Sequence, residues 1–102
     1  MLEEVEKKIY NQYLRAQADK YKRPYMVRKD FSKMRDKEVL ALQKLRIFFE
    51  QYKDVNPFQF FKAGFKYELD TYPTLEYFTT LRATSLYVRH MREKYYEDVD
   101  NH

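Results

Sequence analysis

The chain has 102 residues, no Cys, a single Gly and a net charge of +4. That length makes one domain, residues 1–102, with a small core. The absent cysteines exclude disulfides, thiolate metal sites and a Cys nucleophile, and one glycine excludes a glycine-rich phosphate loop.

The elements follow in chain order. Leu2, Val5, Ile9, Tyr13 and Ala16 recur at three- and four-residue steps, which predicts a first helix over about 2–21. Glu3, Glu4 and Glu6 occupy its first turns, where carboxylates complement the exposed N–H groups. Pro24 forces a stop, because the residue before a proline is pushed out of helical angles. A short turn capped by Asp30 is expected near 30–34. The second helix spans about 37–53 with Asp36 as N-cap. Val39, Leu42, Leu45, Phe49 and Tyr52 line one side and Leu40, Ile47 and Phe48 widen it, which makes this helix the expected centre. In "NPFQFFKAGF", Asn56 caps a third helix and Pro57 takes its first position. Phe58, Phe61 and Phe65 share a face, and Gly64 is expected to end or bend the segment near 65–69. A fourth helix from Thr74 to about 97 carries the stripe Leu75, Phe78, Leu81, Ser85, Val88, Met91 and Tyr95. The fold class is all-α, a small bundle of three long helices and one short one around a Phe/Leu/Tyr core.

The composition includes 11 Tyr and 8 Phe with no Trp. Tyr pairs an apolar ring with a wet hydroxyl, so such a chain uses its rings at the core edge and on a binding face. An exposed patch over 58–67 would instead mark an oligomerising module. No nucleophile–base pair is visible, and the chain reads as a non-enzyme with no cofactor. His90, Glu93 and Glu97 share a helical face and form a conceivable weak metal site, against which stands an ordinary surface His making salt bridges. The opening MLEEVEKKIY lacks the apolar stretch of a signal peptide, and no apolar run approaches the ~20 residues a membrane helix needs.

Charge is concentrated rather than spread. The segment "KYKRPYMVRKDFSKMRDK", residues 20–37, holds eight Lys or Arg and two Asp. Its local +6 leaves the rest of the chain at −2. Clustered cations bind polyanions by releasing condensed counterions. Lys20, Lys22, Arg23, Arg28, Lys29, Lys33, Arg35 and Lys37 are the candidate contacts, and Tyr25, with Tyr21, is placed to stack on unpaired bases. The competing reading is a solvated inter-helix link whose aromatics only pin it to the core. A second cationic set, Arg82, Arg89 and Arg92 with Lys8 or Arg15, reads as ordinary solvated helix faces.

The chain resembles the N-terminal domain of the helicase-loading protein of T-even-type bacteriophages. The likeness is a pattern over most of the chain: Ile9-Tyr10, Tyr13-Leu14 and Lys20-Tyr21 before a basic link, then Arg35-Asp36-Lys37, Phe48-Phe49, Tyr52-Lys53 and Tyr95-Tyr96. "KRPYM", residues 22–26, is also similar to the opening of eukaryotic HMG boxes. The resemblance implies an all-helical, HMG-box-like domain that binds forked DNA. It also implies partners, a helicase and a single-strand binding protein, and the cytoplasm of a phage-infected bacterium. The family carries a second helical domain that these 102 residues do not span, so loading activity is not expected of them alone. The functional expectation is therefore an accessory protein that binds branched or single-stranded DNA in replication or recombination. The alternative is an adaptor or inhibitor of a host enzyme, such as a polymerase or defence factor, docking through the same basic segment. No membrane partner is expected.

Overall fold

The computed structural model describes residues 2–100, with side chains through Glu97. Its elements are α1 (Glu4–Tyr21), α2 (Asp36–Gln51), α3 (Pro57–Tyr67), a 3₁₀ turn (Glu76–Thr79) and α4 (Leu81–Asp100). The class is all-α, and no strand occurs among the described residues.

Local chemistry sets the helix ends. The Glu3 N–H donates to Glu6 Oε1 at 2.9 Å, so the carboxylate three residues on satisfies an orphan donor at the start of α1. Lys22 closes α1 in the left-handed region at φ 57°, and the Arg23 N–H returns to the Ala18 carbonyl at 2.9 Å. Asn56 accepts from the Gln59 N–H at 3.1 Å, and Pro57 follows at the first position of α3. For α2 the N-cap is Arg35 rather than Asp36, and Glu38 Oε1 accepts from the Arg35 N–H at 3.3 Å. The turn near 30–34 forms: Asp30 Oδ1 accepts from the Ser32 N–H at 3.0 Å, and the Met34 N–H reaches the Phe31 carbonyl at 3.2 Å.

The core centres on α3, not on α2. Phe60, Phe61, Ala63, Gly64 and Phe65 are all buried. Phe61 and Phe78 meet edge-to-face at 4.9 Å, and Tyr13, Phe48, Phe49 and Phe60 complete a continuous aromatic packing. The run over 58–67 is thus core, not an exposed patch. Gly64 neither ends nor bends α3: it sits inside the helix, where the Phe78 ring presses on its backbone. Leu40 and Ile47, assigned to a widened apolar face of α2, are half exposed.

The fourth segment departs most from the periodicity. Thr80 leaves helical angles at φ −93°, ψ 159°, and splits a 3₁₀ turn from α4. Its hydroxyl accepts from the Ala83 N–H at 3.4 Å and so caps the new helix. Re-entry rotates the faces. Leu75 and Phe78 stay buried, but Leu81 is 87% exposed and Val88 and Tyr95 also face outward. The buried side of α4 is instead Ala83 and His90, with Tyr87 packed against the core.

Two carboxylates are buried with partners far away in sequence. Glu6 accepts from Arg46 Nε at 2.9 Å. Glu68 accepts from Arg82, whose Nη2 lies 3.2 Å away, from the Tyr77 hydroxyl at 2.7 Å and from the Asp70 N–H at 3.2 Å. The Arg82 guanidinium, then the Tyr77 hydroxyl, hold the Glu68 carboxyl down to about 2. Burial and this carboxylate push the Tyr77 hydroxyl up to about 12.

Candidate nucleic-acid interface

The basic segment folds back along α1 as an extended strap. Its clasp is Asn11, whose Oδ1 accepts from the Arg28 N–H at 2.7 Å while its Nδ2 donates to the Arg28 carbonyl at 3.2 Å. One side chain thereby satisfies both backbone groups of one strap residue, as a strand partner would. Phe31 anchors the far end, edge-on to Tyr10 at 5.6 Å.

Of the eight cations, Lys20 lies at the end of α1, Lys37 at the start of α2 and the others between them; one holds the strap, one is paired and six are free of carboxylates among the described residues. Arg28 is turned inward: Nε donates to the Asp30 carbonyl at 2.8 Å and Nη1 to the Tyr10 hydroxyl at 3.0 Å, with the guanidinium over the Tyr10 and Phe31 rings. Its role is to hold the strap. Arg35 pairs with Glu38 at 2.9 Å, which also keeps that carboxyl below its usual range against the opposing effect of burial. Lys20, Lys22, Arg23, Lys29, Lys33 and Lys37 are exposed, and none of them pairs with a carboxylate among the described residues.

The aromatics divide as well. Tyr21 is engaged: edge-on to Phe65, stacked on Tyr72 at 6.2 Å, and covered by the Arg23 guanidinium at 5.2 Å. Tyr25 is 41% exposed and carries no ring partner among the described residues. Met26 and Val27 beside it are also exposed, so the crest of the strap is apolar and flanked by cations.

The second cationic set is partly neutralised. Arg82 is bound to Glu68, Arg89 pairs with Glu93 at 3.2 Å and the Arg15 guanidinium lies over the Phe58 ring at 4.1 Å, while Arg92 and Lys8 are exposed with no carboxylate partner among the described residues. Sequence spacing missed two cations that packing brings to the strap. Lys62 and Lys66, one turn apart on α3, meet Lys20 and Lys22 across the end of α1. No local motif announces them, because the cluster exists only once α1 and α3 are packed.

His90 is buried rather than a surface residue in salt bridges, with Nε2 2.9 Å from Gln59 Oε1. Burial, then the nearby Lys66, Lys94 and Lys62, push its pKa below the ordinary value. No group of three side chains suited to a metal ion occurs among the described residues. A cavity of about 590 Å³ lies elsewhere, between α2 and the start of α4, lined by Leu45, Phe48, Tyr52, Leu81, Tyr87 and Val88 with Lys44 as its one charged group. No helix among the described residues is long and apolar enough to cross a membrane.

An all-α body carrying a clasped cationic strap is the class of protein that fold and site define. The chain matches no protein-family model, no curated protein and no solved structure.

Proposed function

We propose that this protein binds DNA, branched or single-stranded, as an accessory factor in replication or recombination, with the strap as its contact surface. One observation carries the reading. The Arg28–Asn11 clasp fixes the strap, yet Lys20, Lys22, Arg23, Lys29, Lys33 and Lys37 stay exposed and without carboxylate partners. Fixed, unpaired cations of one sign supply the counterion-release term that dominates nucleic-acid affinity. The free Tyr25 ring adds a stacking surface for an unpaired base, worth about 1–3 kcal/mol where such stacking forms. The likeness to the phage helicase loader supports the replication setting and a helicase or single-strand binding protein as further partners.

The test is binding to forked, single-stranded and duplex DNA across a salt series, with an Arg23/Lys29/Lys33→Ala variant beside the parent. A log–log slope of several units is expected for the parent, falling by roughly 0.7–0.9 per cation removed that contacts a phosphate. No binding at low salt, or a slope unchanged in the variant, rejects the proposal.

A second reading, an adaptor or inhibitor that docks on a host protein, is favoured by the apolar groove between α2 and α4. Capture of a protein that survives nuclease digestion and is lost in Leu81→Asp/Val88→Asp would support it over the DNA reading.

A further inference from the structure

Four lysines converge on one small pocket where the C-terminal turn of α1 meets α3. The pocket holds about 190 Å³ and is lined by Lys20, Lys22, Lys62 and Lys66 over a floor of Ala16 and Phe65. Asp19 is the only carboxylate in the lining, and it reaches Lys62 at 3.7 Å, a long and weak pair. The helix dipoles account for part of this arrangement. Lys20 and Lys66 lie in last turns, where cations complement the carbonyl end. They do not account for Lys22, which stands beyond the end of α1, or Lys62, which stands mid-helix.

The α3 lysines are held in place by aromatic rings. Lys62 Nζ lies 5.7 Å from the Phe58 ring centre and Lys66 Nζ 5.2 Å from that of Tyr67. Like charges pinned together around a concavity repel one another until an anion enters, and that repulsion becomes binding free energy when it does.

We propose that this pocket seats a phosphate group of the bound nucleic-acid strand, so that the strand leaves the strap and crosses α3. The inference rests on the DNA-binding reading and assigns it a contact outside residues 20–37. Phosphate fits the donor set better than a carboxylate does. The planar fork of Arg matches carboxylate and phosphate alike, and no Arg lines the pocket, so the lysines decide. Ammonium groups act as point charges that suit a compact, multiply oxygenated anion approached from several sides. Continuity supports the same path. Lys62 and Lys66 also line an adjoining pocket of about 200 Å³ with Gln59, His90 and Lys94, so the lysines lead on toward α4. Glu93 and Glu97 share that second pocket, which makes it the less basic of the two and puts the seat at the first.

The test uses the full chain, a fluorescent oligothymidylate and pyrophosphate as the small probe. Lys62→Gln/Lys66→Gln is compared with Lys29→Gln/Lys33→Gln and the parent. Lys62→Gln/Lys66→Gln should lower the log–log salt slope for the strand by about 1.4, two contacts at ~0.7 each. Pyrophosphate should shift the backbone amide resonances around Ala16 and Phe65 in the parent and not in that variant. If Lys29→Gln/Lys33→Gln weakens strand binding while Lys62→Gln/Lys66→Gln leaves affinity and slope at the parent's values, the seat is overturned and the DNA reading stands. If the parent binds pyrophosphate at the pocket but no strand, the pocket is a small-anion site only, and the strand path is overturned together with the DNA reading. If neither probe binds, both are overturned.

Discussion

Replacing Gly64 with alanine tests the centre of the fold with a sign opposite to habit. In an exposed helix interior, Gly→Ala stabilises by about 1 kcal/mol, because alanine restricts the unfolded chain and favours the helix. Gly64 has no positive φ, so the backbone itself would accept alanine. The obstacle is Phe78. A Cβ built on Gly64 stands 2.5 Å from Phe78 Cζ and nearer still to Cε1, where carbon atoms rest at about 3.5–4 Å. The ring would have to retreat by about 1 Å or more, and five aromatic rings crowd it, although it also lines the cavity between α2 and α4. Phe61 blocks it at 4.9 Å, Tyr77 at 5.2 Å, Phe60 at 5.7 Å, Phe65 at 5.8 Å and Tyr13 at 6.0 Å between ring centres. Overpacking of this kind costs about 1–3 kcal/mol, and a rigid aromatic on rigid neighbours belongs at the upper end. Set against the ~1 kcal/mol propensity gain, the net expectation is a loss of about 1–2 kcal/mol. For a domain of this size that lowers Tm by about 4–15 °C. Thermal and urea unfolding followed by circular dichroism measure it. Phe78→Leu should cost less in the Gly64→Ala background than alone, with a coupling of about 1 kcal/mol, because the smaller side chain makes room for the methyl group. A Gly64→Ala variant as stable as the parent, or two strictly additive substitutions, would refute the argument that Phe78 needs a bare backbone here.

Arg46→Met should cost about 2–3 kcal/mol by urea unfolding, below the usual range for one half of a buried pair because Arg46 keeps some solvent; it strands Glu6, and adding Glu6→Gln should recover part of the loss. Glu68 contributes stability with a defined pH window. Its folded-state value, about 2, lies below the ordinary 4.5, so its contribution is complete above about 4.5 and drains away as pH falls toward 2. Glu68→Gln is therefore expected to unfold more easily than the parent at pH 7 and to match it near pH 2; a gap independent of pH contradicts the assignment. Arg28→Ala should lower Tm by several degrees by releasing the strap, whereas Lys29→Ala/Lys33→Ala should leave Tm within a degree or two and weaken DNA binding. On α4, Leu81→Asp should change stability by no more than about 0.5 kcal/mol, while Ala83→Asp, which buries a charge, should prevent cooperative unfolding altogether.

The last pair of substitutions marks where sequence and structure part. Helix ends set by neighbouring residues were legible: the acidic opening of α1, the Asn56-Pro57 start of α3 and the Asp30 turn each depend on atoms within about four residues. The faces of α4 were not. Leu75 through Tyr95 keeps a helical period across Thr80, but the period is meaningful only if the helix is continuous. A Thr-Thr pair ahead of Leu81 is a possible N-cap, and that was the available signal. Ala83, Tyr87 and His90 keep the same spacing, but a small residue and a histidine carry little apolar signal. Glu6 and Gly64 were illegible for a different reason: each answers to one residue, Arg46 or Phe78, that only tertiary packing delivers.

The same distinction applies to the candidate interface, where the net charge of 20–37 was readable but its orientation was not. Eight equivalent-looking cations become one that builds the strap, one that is paired and six that face outward. What decides this is Asn11, a neutral side chain on another element, because it fixes which way residue 28 points. With Arg28 turned in and its backbone clasped, the preceding Tyr25, Met26 and Val27 are left at the crest, with Met26 78% exposed. Three adjoining apolar residues at a surface otherwise rich in lysine are costly for an unliganded strap. A ligand that offers both anionic and flat apolar surface removes that cost, and a nucleic-acid strand with unpaired bases offers both at the spacing of single residues. Tyr25→Ala tests the stacking contact by itself. It should weaken binding to single-stranded DNA by about 1–3 kcal/mol and leave the salt slope at the parent's value, since it removes a stacking surface and no charge.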